Sequence, residues 1–167
     1  EGYNPLRAAC VMDLLAIAGK PGVRPELTRM SNARQKDAFC YGAAFSRGVC
    51  VPEADVAHLQ ISGTAAIDER GESLFPGDAR AQIERTLENI EALVLPLEGS
   101  LKDLCSATVF LKRAADAPAF FECVSRRGLS ELPAVYMVAD VCRPELLFEM
   151  DAVGALSSVP APEKSGA

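Results

Sequence analysis

A chain of 167 residues, 49% hydrophobic and 24% charged, carries enough apolar content for the core of one ordinary globular domain. Its 17 Lys and Arg against 23 Asp and Glu leave a net charge of -6, which opposes attraction to phosphate backbones and removes nucleic acid from the expected partners. There is no run of about 18 apolar residues to span a bilayer, and the first residues lack the basic, apolar and small-residue order of a signal peptide. The expectation is a soluble, cytoplasmic protein with no membrane partner.

The first thirty residues hold the apolar run "AACVMDLLAIAG", closed by Gly19, Pro21 and Gly22, which reads equally as a short helix or a strand. Residues 1–37 are expected to form an N-terminal extension, the remnant of a longer polypeptide. "AFCYGAAFSRGVCV", from Ala38 to Val51, is aromatic and apolar and reads as a strand broken at Gly42 and Gly48. "AHLQISGTAAID" reads as a second strand with Leu59, Ile61 and Gly63 on one side; its small centre lets another backbone or a ligand come close. After the turn-rich "DERGESLFPGD", Asp78 is an N-cap for a helix whose Ile83, Leu87, Ile90, Val94 and Leu97 step by four and three residues along one buried stripe. The charges of "RAQIERTLENIE" are expected on its outer face.

"DLCSATVFLK", Asp103 to Lys112, is β-branched and aromatic and predicts a central strand. Asp116 and Pro118 announce a second helix carrying Phe120, Phe121 and Val124 and ending near Gly128. "PAVYMVADV" and "ELLFEMDAV" then read as two strands joined by a turn from Cys142 to Glu145, and the Pro/Ser/Ala-rich residues 155–167 as a disordered tail. This order gives an α+β layer with both helices on one face of a sheet.

The last strand poses the chemical question. Alternation puts Leu147, Glu149 and Asp151 on one face and Phe148, Met150 and Ala152 on the other, so two acids share a face of an otherwise apolar strand. Two readings follow: charge at a subunit border, or a carboxyl at a cleft floor whose pKa is raised by apolar neighbours and which exchanges protons with water or substrate. Asp151 is expected to support rather than react. The six cysteines stand singly, with one histidine in the chain, so no metal site is expected and a His-based triad has little to be built from. Free, buried thiols are the expectation, Cys105 and Cys142 among them, and His58 is expected at the surface.

In order along the chain, Tyr41 with Ala44, Ser62-Gly63, Gly77-Asp78, Gln82, Leu87-Glu88-Asn89-Ile90, Thr108 to Lys112, Pro133-Ala134 and Glu149 resemble the YjgF/Rid family, also called endoribonuclease L-PSP or reactive-intermediate deaminases. The resemblance covers roughly residues 38–154. It implies a chorismate-mutase-like mixed β-sheet with two helices packed on one face, assembling as a homotrimer with ligand clefts between subunits. It also implies hydrolysis of an imine without a cofactor. A final-strand glutamate, here Glu149, would hold the water, and an arginine directly after "PA" would grip the substrate carboxylate. That arginine position is Val135, which cannot form paired charged hydrogen bonds, so a cation must come from elsewhere: Arg143, Arg47 or Arg34.

"ADVCRPELLFEMD", with "NARQKDAFCYG" and "SGTAAI", is similar to the C-terminal half of chorismatases, in which the final-strand glutamate donates a proton. The combined expectation is a hydrolase or lyase acting on a small carboxylated metabolite. Glu149 is catalytic, and Tyr41, Gly63, Thr64, Val135, Met137 and Arg143 bind substrate. The alternatives are a chorismatase-like enzyme on chorismate and a noncatalytic, metabolite-binding homotrimer.

Overall fold

The computed structural model describes residues 16–19, 21–22, 26–53 and 55–157. Most of the apolar run near the N-terminus, and the tail from residue 158, lie outside these residues. The sheet has six strands: β1 (Thr28–Met30), β2 (Gly48–Glu53), β3 (Val56–Ala65), β4 (Leu104–Leu111), β5 (Ala134–Val138) and β6 (Phe148–Leu156). They run in the order β1-β2-β3-β6-β4-β5, antiparallel except for the parallel pair β4 and β5. Helices α1 (Ala79–Val94) and α2 (Ala117–Arg126) cover one face.

The α1 stripe forms as its spacing predicts. Asp78 accepts a hydrogen bond from the Ala81 N–H, and Ile83, Leu87, Ile90 and Val94 are each fully buried against the sheet. Phe120 of α2 stacks on Phe148 at 5.5 Å between ring centroids and meets Tyr136 edge-on at 5.7 Å, tying α2 to β6 and β5. On β6, Phe148, Met150 and Ala152 lie in this core while Glu149 and Asp151 alternate to the open face.

Several expectations change. Ala38 to Tyr41 is a 3-10 turn, not strand: Asp37 caps it by accepting from the Phe39 N–H, and Gly42 ends it in the left-handed region at φ 82°. β1 lies inside the stretch expected as an extension and pairs with β2, and β6 runs to Leu156, into the expected tail. β5 and β6 do not pair as a hairpin; β4 lies between them, so residues 139–147 cross from the sheet edge back to its centre. The α1 charges do more than face solvent. Arg80 pairs with Glu122, and Arg126 and Arg127 both pair with Glu84, clamping α1 to α2.

Strand β3 carries an irregularity that matters for the site. Its register with β6 shifts between Ile61 and Thr64, a β-bulge. Leu59 and Ile61 before it face the helices, but after it Thr64 takes the helix side opposite Met150, and Gly63 and Ala65 turn to the open face beside Glu149. Gly63 therefore does not share a side with Leu59 and Ile61.

Candidate functional site

Three segments converge on Glu149. The turn that ends at Tyr41 and the residues leading to Arg47 form one wall of a cavity of about 400 Å³. Gly63, Ala65 and Ile67 form the floor, and the crossing loop contributes Cys142 and Arg143. Gly63 is required by contact: a Cβ there would run into Glu149 Oε1 and lie 3.1 Å from its Cδ. Only glycine lets the carboxyl rest on the strand.

Burial pushes the Glu149 carboxyl above the usual carboxylate range. The Cys142 thiol, placed to donate to it, and the Arg47 charge pull the other way, while Asp151 adds to the rise. Cys142 is exposed as a residue, yet its thiol end lines the cavity; burial of the sulfur, and then the Glu149 charge, hold that thiol above its ordinary pKa. It stays protonated near neutrality and acts as a donor rather than a thiolate. Cys40 and Cys105 are also exposed, so of the cysteines described only Cys50 and Cys123 match the expectation of buried thiols.

Arg47 is 3% exposed and is fixed by neutral groups: Nε and Nη2 donate to the Lys36 carbonyl at 3.2 and 3.0 Å, and Nη2 also donates to the Tyr41 hydroxyl. Arg143 donates from Nη1 to the Gly71 carbonyl at 2.7 Å and to the Ser73 hydroxyl at 3.2 Å. The loop that receives it is closed by Asp68, whose carboxylate accepts from the Arg70 and Glu72 N–H groups. The two guanidinium carbons lie 5.6 Å (Arg47) and 5.9 Å (Arg143) from the Tyr41 ring centroid. Among the described residues neither arginine has a carboxylate within ion-pair distance, so the cavity holds two cations uncommitted to an anion.

The remaining expected residues fall elsewhere. Thr64 is fully buried on the helix side, its hydroxyl donating to the Ser62 carbonyl at 2.9 Å, so it does not line the cavity; the bulge turned it away. Val135 and Met137 share the open face with Glu149 but sit on the edge strand β5, two strands over and on the order of 10 Å away. Val135 is 62% exposed. Asp151 accepts from the Thr108 backbone N–H at 3.1 Å, a bracing role within the sheet. Arg34 ion-pairs with Glu88 on α1, away from the cavity lining. His58 lies within β3, half-exposed, with Nε2 3.5 Å from Glu53.

Sequence reasoning missed what α1 does for the site. Gln82 and Asn89 are fully buried polar side chains in an apolar stripe. Asn89 donates to the Ala65 and Ile67 carbonyls, both at 3.0 Å, fixing the cavity floor. Polar residues on the core face of an otherwise regular stripe were the available signal.

The fold and this open-face cavity define a class of small α+β domains in which a six-stranded sheet backed by two helices presents a last-strand carboxyl to a pocket. The profile of the family described as Endoribonuclease L-PSP matches residues 35–156, and the chain belongs to that family. It is 34% identical over 96 residues to the 3-aminoacrylate deaminase RutC of Acinetobacter baylyi, covering 57% of this chain and 76% of that protein. It is 31% identical over 144 residues to a 3-hydroxybenzoate synthase of Streptomyces hygroscopicus, covering 74% of this chain but only 42% of the relative. Among solved structures, a RidA from a Psychrobacter species superposes with TM-score 0.64 at 20% identity over 77% of this chain and 99% of that one. A chorismatase superposes with TM-score 0.70 at 21% identity over 77% of this chain and 44% of that one. Both structures share the fold.

Proposed function

We propose that the chain is a hydrolase or lyase acting on a small carboxylated metabolite, with Glu149 as the proton-transferring group and Arg47 and Arg143 holding the carboxylate. The observation that carries this is the lining of one cavity by Glu149, Arg47 and Arg143 together. Val135 removes the arginine expected on β5, and two guanidiniums arriving from other segments restore the cation that a desolvated carboxylate needs. In the deaminase form of the reaction, ionised Glu149 takes a proton from a water attacking the imine carbon. It returns that proton to the nitrogen to give the carbinolamine, then carries the hydroxyl proton to the same nitrogen as the C–N bond breaks, so that imine and water give ketone and ammonia. A raised pKa makes the Glu149 carboxylate a stronger base than an ordinary one, which suits the proton abstraction of that cycle.

A second reading, a chorismatase-like enzyme on chorismate, is favoured by two features. One is the 31% identity to the 3-hydroxybenzoate synthase, of which this chain spans 42%. The other is the pair of cations beside the apolar faces of Tyr41, Phe45 and Ile67, which would suit a substrate with two carboxylates. Glu149 would then donate its proton.

In either form we take the open sheet face, with Val135 and Met137 exposed on β5, as the surface on which three copies assemble. The cavity would then lie at a subunit border. Sedimentation equilibrium tests this: a trimer supports it and a monomer at micromolar concentration opposes it.

The deciding experiment assays the purified protein on chorismate and on an enzymatically generated 2-imino acid, side by side, with Glu149→Gln as control. Glu149-dependent release of ammonia supports the deaminase form, and release of pyruvate the chorismatase-like form. Silence on both transfers the weight to a noncatalytic, metabolite-binding trimer.

A further inference from the structure

Gln82 makes contacts that its place on a helix in an apolar core does not require. Its Nε2 donates to the carbonyls of Leu74 (3.1 Å), Phe75 (3.1 Å) and Glu145 (2.9 Å), and its Oε1 accepts from the Leu147 N–H at 2.7 Å. Three carbonyls can only accept, so the amide orientation is dictated by its surroundings. The side chain is fully buried, and no water can substitute for it without opening the core.

What these groups belong to gives the contact its meaning. Glu145 and Leu147 are the alternate residues between Arg143 and Glu149, so one amide grips the chain midway between the cation and the acid. Leu74 and Phe75 continue the loop whose Gly71 carbonyl and Ser73 hydroxyl receive Arg143. Phe75 is held at φ 53°, in the left-handed region unfavourable to a bulky residue, while its carbonyl turns toward Gln82. Leu147 passes the restraint on, its carbonyl accepting from the Lys112 N–H at 2.9 Å at the end of β4.

We propose that Gln82 is a positioning residue: its single side-chain amide fixes the separation of Arg143 and Glu149 by joining the Arg143-binding loop to the segment that leads into β6. This rests on the reading of the cavity as a reaction site. Its test, however, does not need turnover.

Cys142 lies beside both groups and reports on their geometry. In a protein with Cys10, Cys40 and Cys105 replaced by serine, the rate of iodoacetamide alkylation is followed against pH, with Cys50 and Cys123 protected by burial. The variants are Gln82→Met, which keeps length and loses every hydrogen bond, and Leu93→Ala, a core change away from the cavity. Gln82→Met should react about 3- to 10-fold faster at a fixed pH near 8, its profile moving toward an ordinary thiol by up to about one pH unit, because Glu149 is no longer held against the sulfur. Leu93→Ala should lower the melting temperature and keep the original profile. Should Gln82→Met not fold, Gln82→Glu keeps the acceptor for the Leu147 N–H, replaces the donor with oxygen, and should shift the profile the same way. An unchanged profile in a folded Gln82 variant overturns the proposal. If the parent protein also turns over neither substrate, the reaction reading fails on its own while the alkylation profile still decides the role of Gln82.

Discussion

The two faces of β6 are built from the same nine residues and do opposite things. On the helix side, Phe148, Met150 and Ala152 are packed among Leu87, Ile90 and Phe120, where removal from water is their whole contribution. On the open side, Glu149 is partly buried with its charge imperfectly compensated, and Asp151 spends one carboxylate oxygen on the Thr108 backbone. The difference teaches that the apolar half of the strand supplies the rigidity needed to keep a destabilised carboxyl in place. The cost of the open face is borne by the covered one.

Four measurements would break or sharpen that contrast. The largest effect should come from the covered face: Phe148→Ala removes a fully buried ring stacked on Phe120 and should cost about 3–5 kcal/mol in denaturant unfolding. A loss below about 1 kcal/mol would mean that the core closes over the gap and the faces are not so divided. Next, Glu149→Gln should lower turnover of whichever substrate responds by at least about 100-fold, the low end for general acid–base catalysis, while leaving the fold intact. Equal loss of folding would assign that carboxyl a structural role instead.

Smaller is the effect of Gly63→Ala. The added methyl must push the Glu149 carboxyl off the strand, and turnover should fall about 10- to 100-fold as the group moves by the order of 1 Å, with little change in melting temperature. Wild-type activity in this variant would show that the carboxyl works from another position. The smallest effect is on stability against pH. The Glu149 pKa is raised in the folded state, so the folded form binds the proton more tightly than the unfolded one. The associated stability is fully present below about pH 4.3, the unfolded value, and is lost as pH rises through the folded one. Glu149→Gln, which cannot ionise, should therefore gain on the parent in melting temperature as pH goes from about 4 to 8, and a constant difference would contradict the raised pKa.

Much of the fold was legible in the sequence because it depends on periodic burial. The α1 stripe, the Asp78 cap, the β4 run and the alternation that separates Glu149 from Met150 all follow from spacing alone. What could not be read depends on events without a period. Nothing in "SGTAA" announces the residue at which β3 changes faces, so Gly63 was grouped with Leu59 and Ile61, and Thr64 was expected at the site. The strand chemistry of "AFCY" was overridden because Asp37 and Gly42 cap a turn there. Arg143 was legible as a candidate, but Arg47 as its companion across the Tyr41 ring depends on two loops meeting in space. Gln82 and Asn89 were visible as polar interruptions on the core face of the α1 stripe and as matches to a family, but a polar residue in a stripe does not declare which backbone it will hold.

The bulge in β3 also gives the gene a particular vulnerability. Strand residues have parity, odd to one side and even to the other, and the shift at Ser62-Gly63 changes that parity once. Loss of a single codon there would restore one uninterrupted alternation with Thr64 still opposite Met150 and Ala65 still opposite Glu149, so both faces would keep their residues. What would vanish is the extra residue itself, and with it the local bend of the strand beside the Glu149 carboxyl. Point substitutions can tune this floor by degrees; a one-residue deletion can only flatten it.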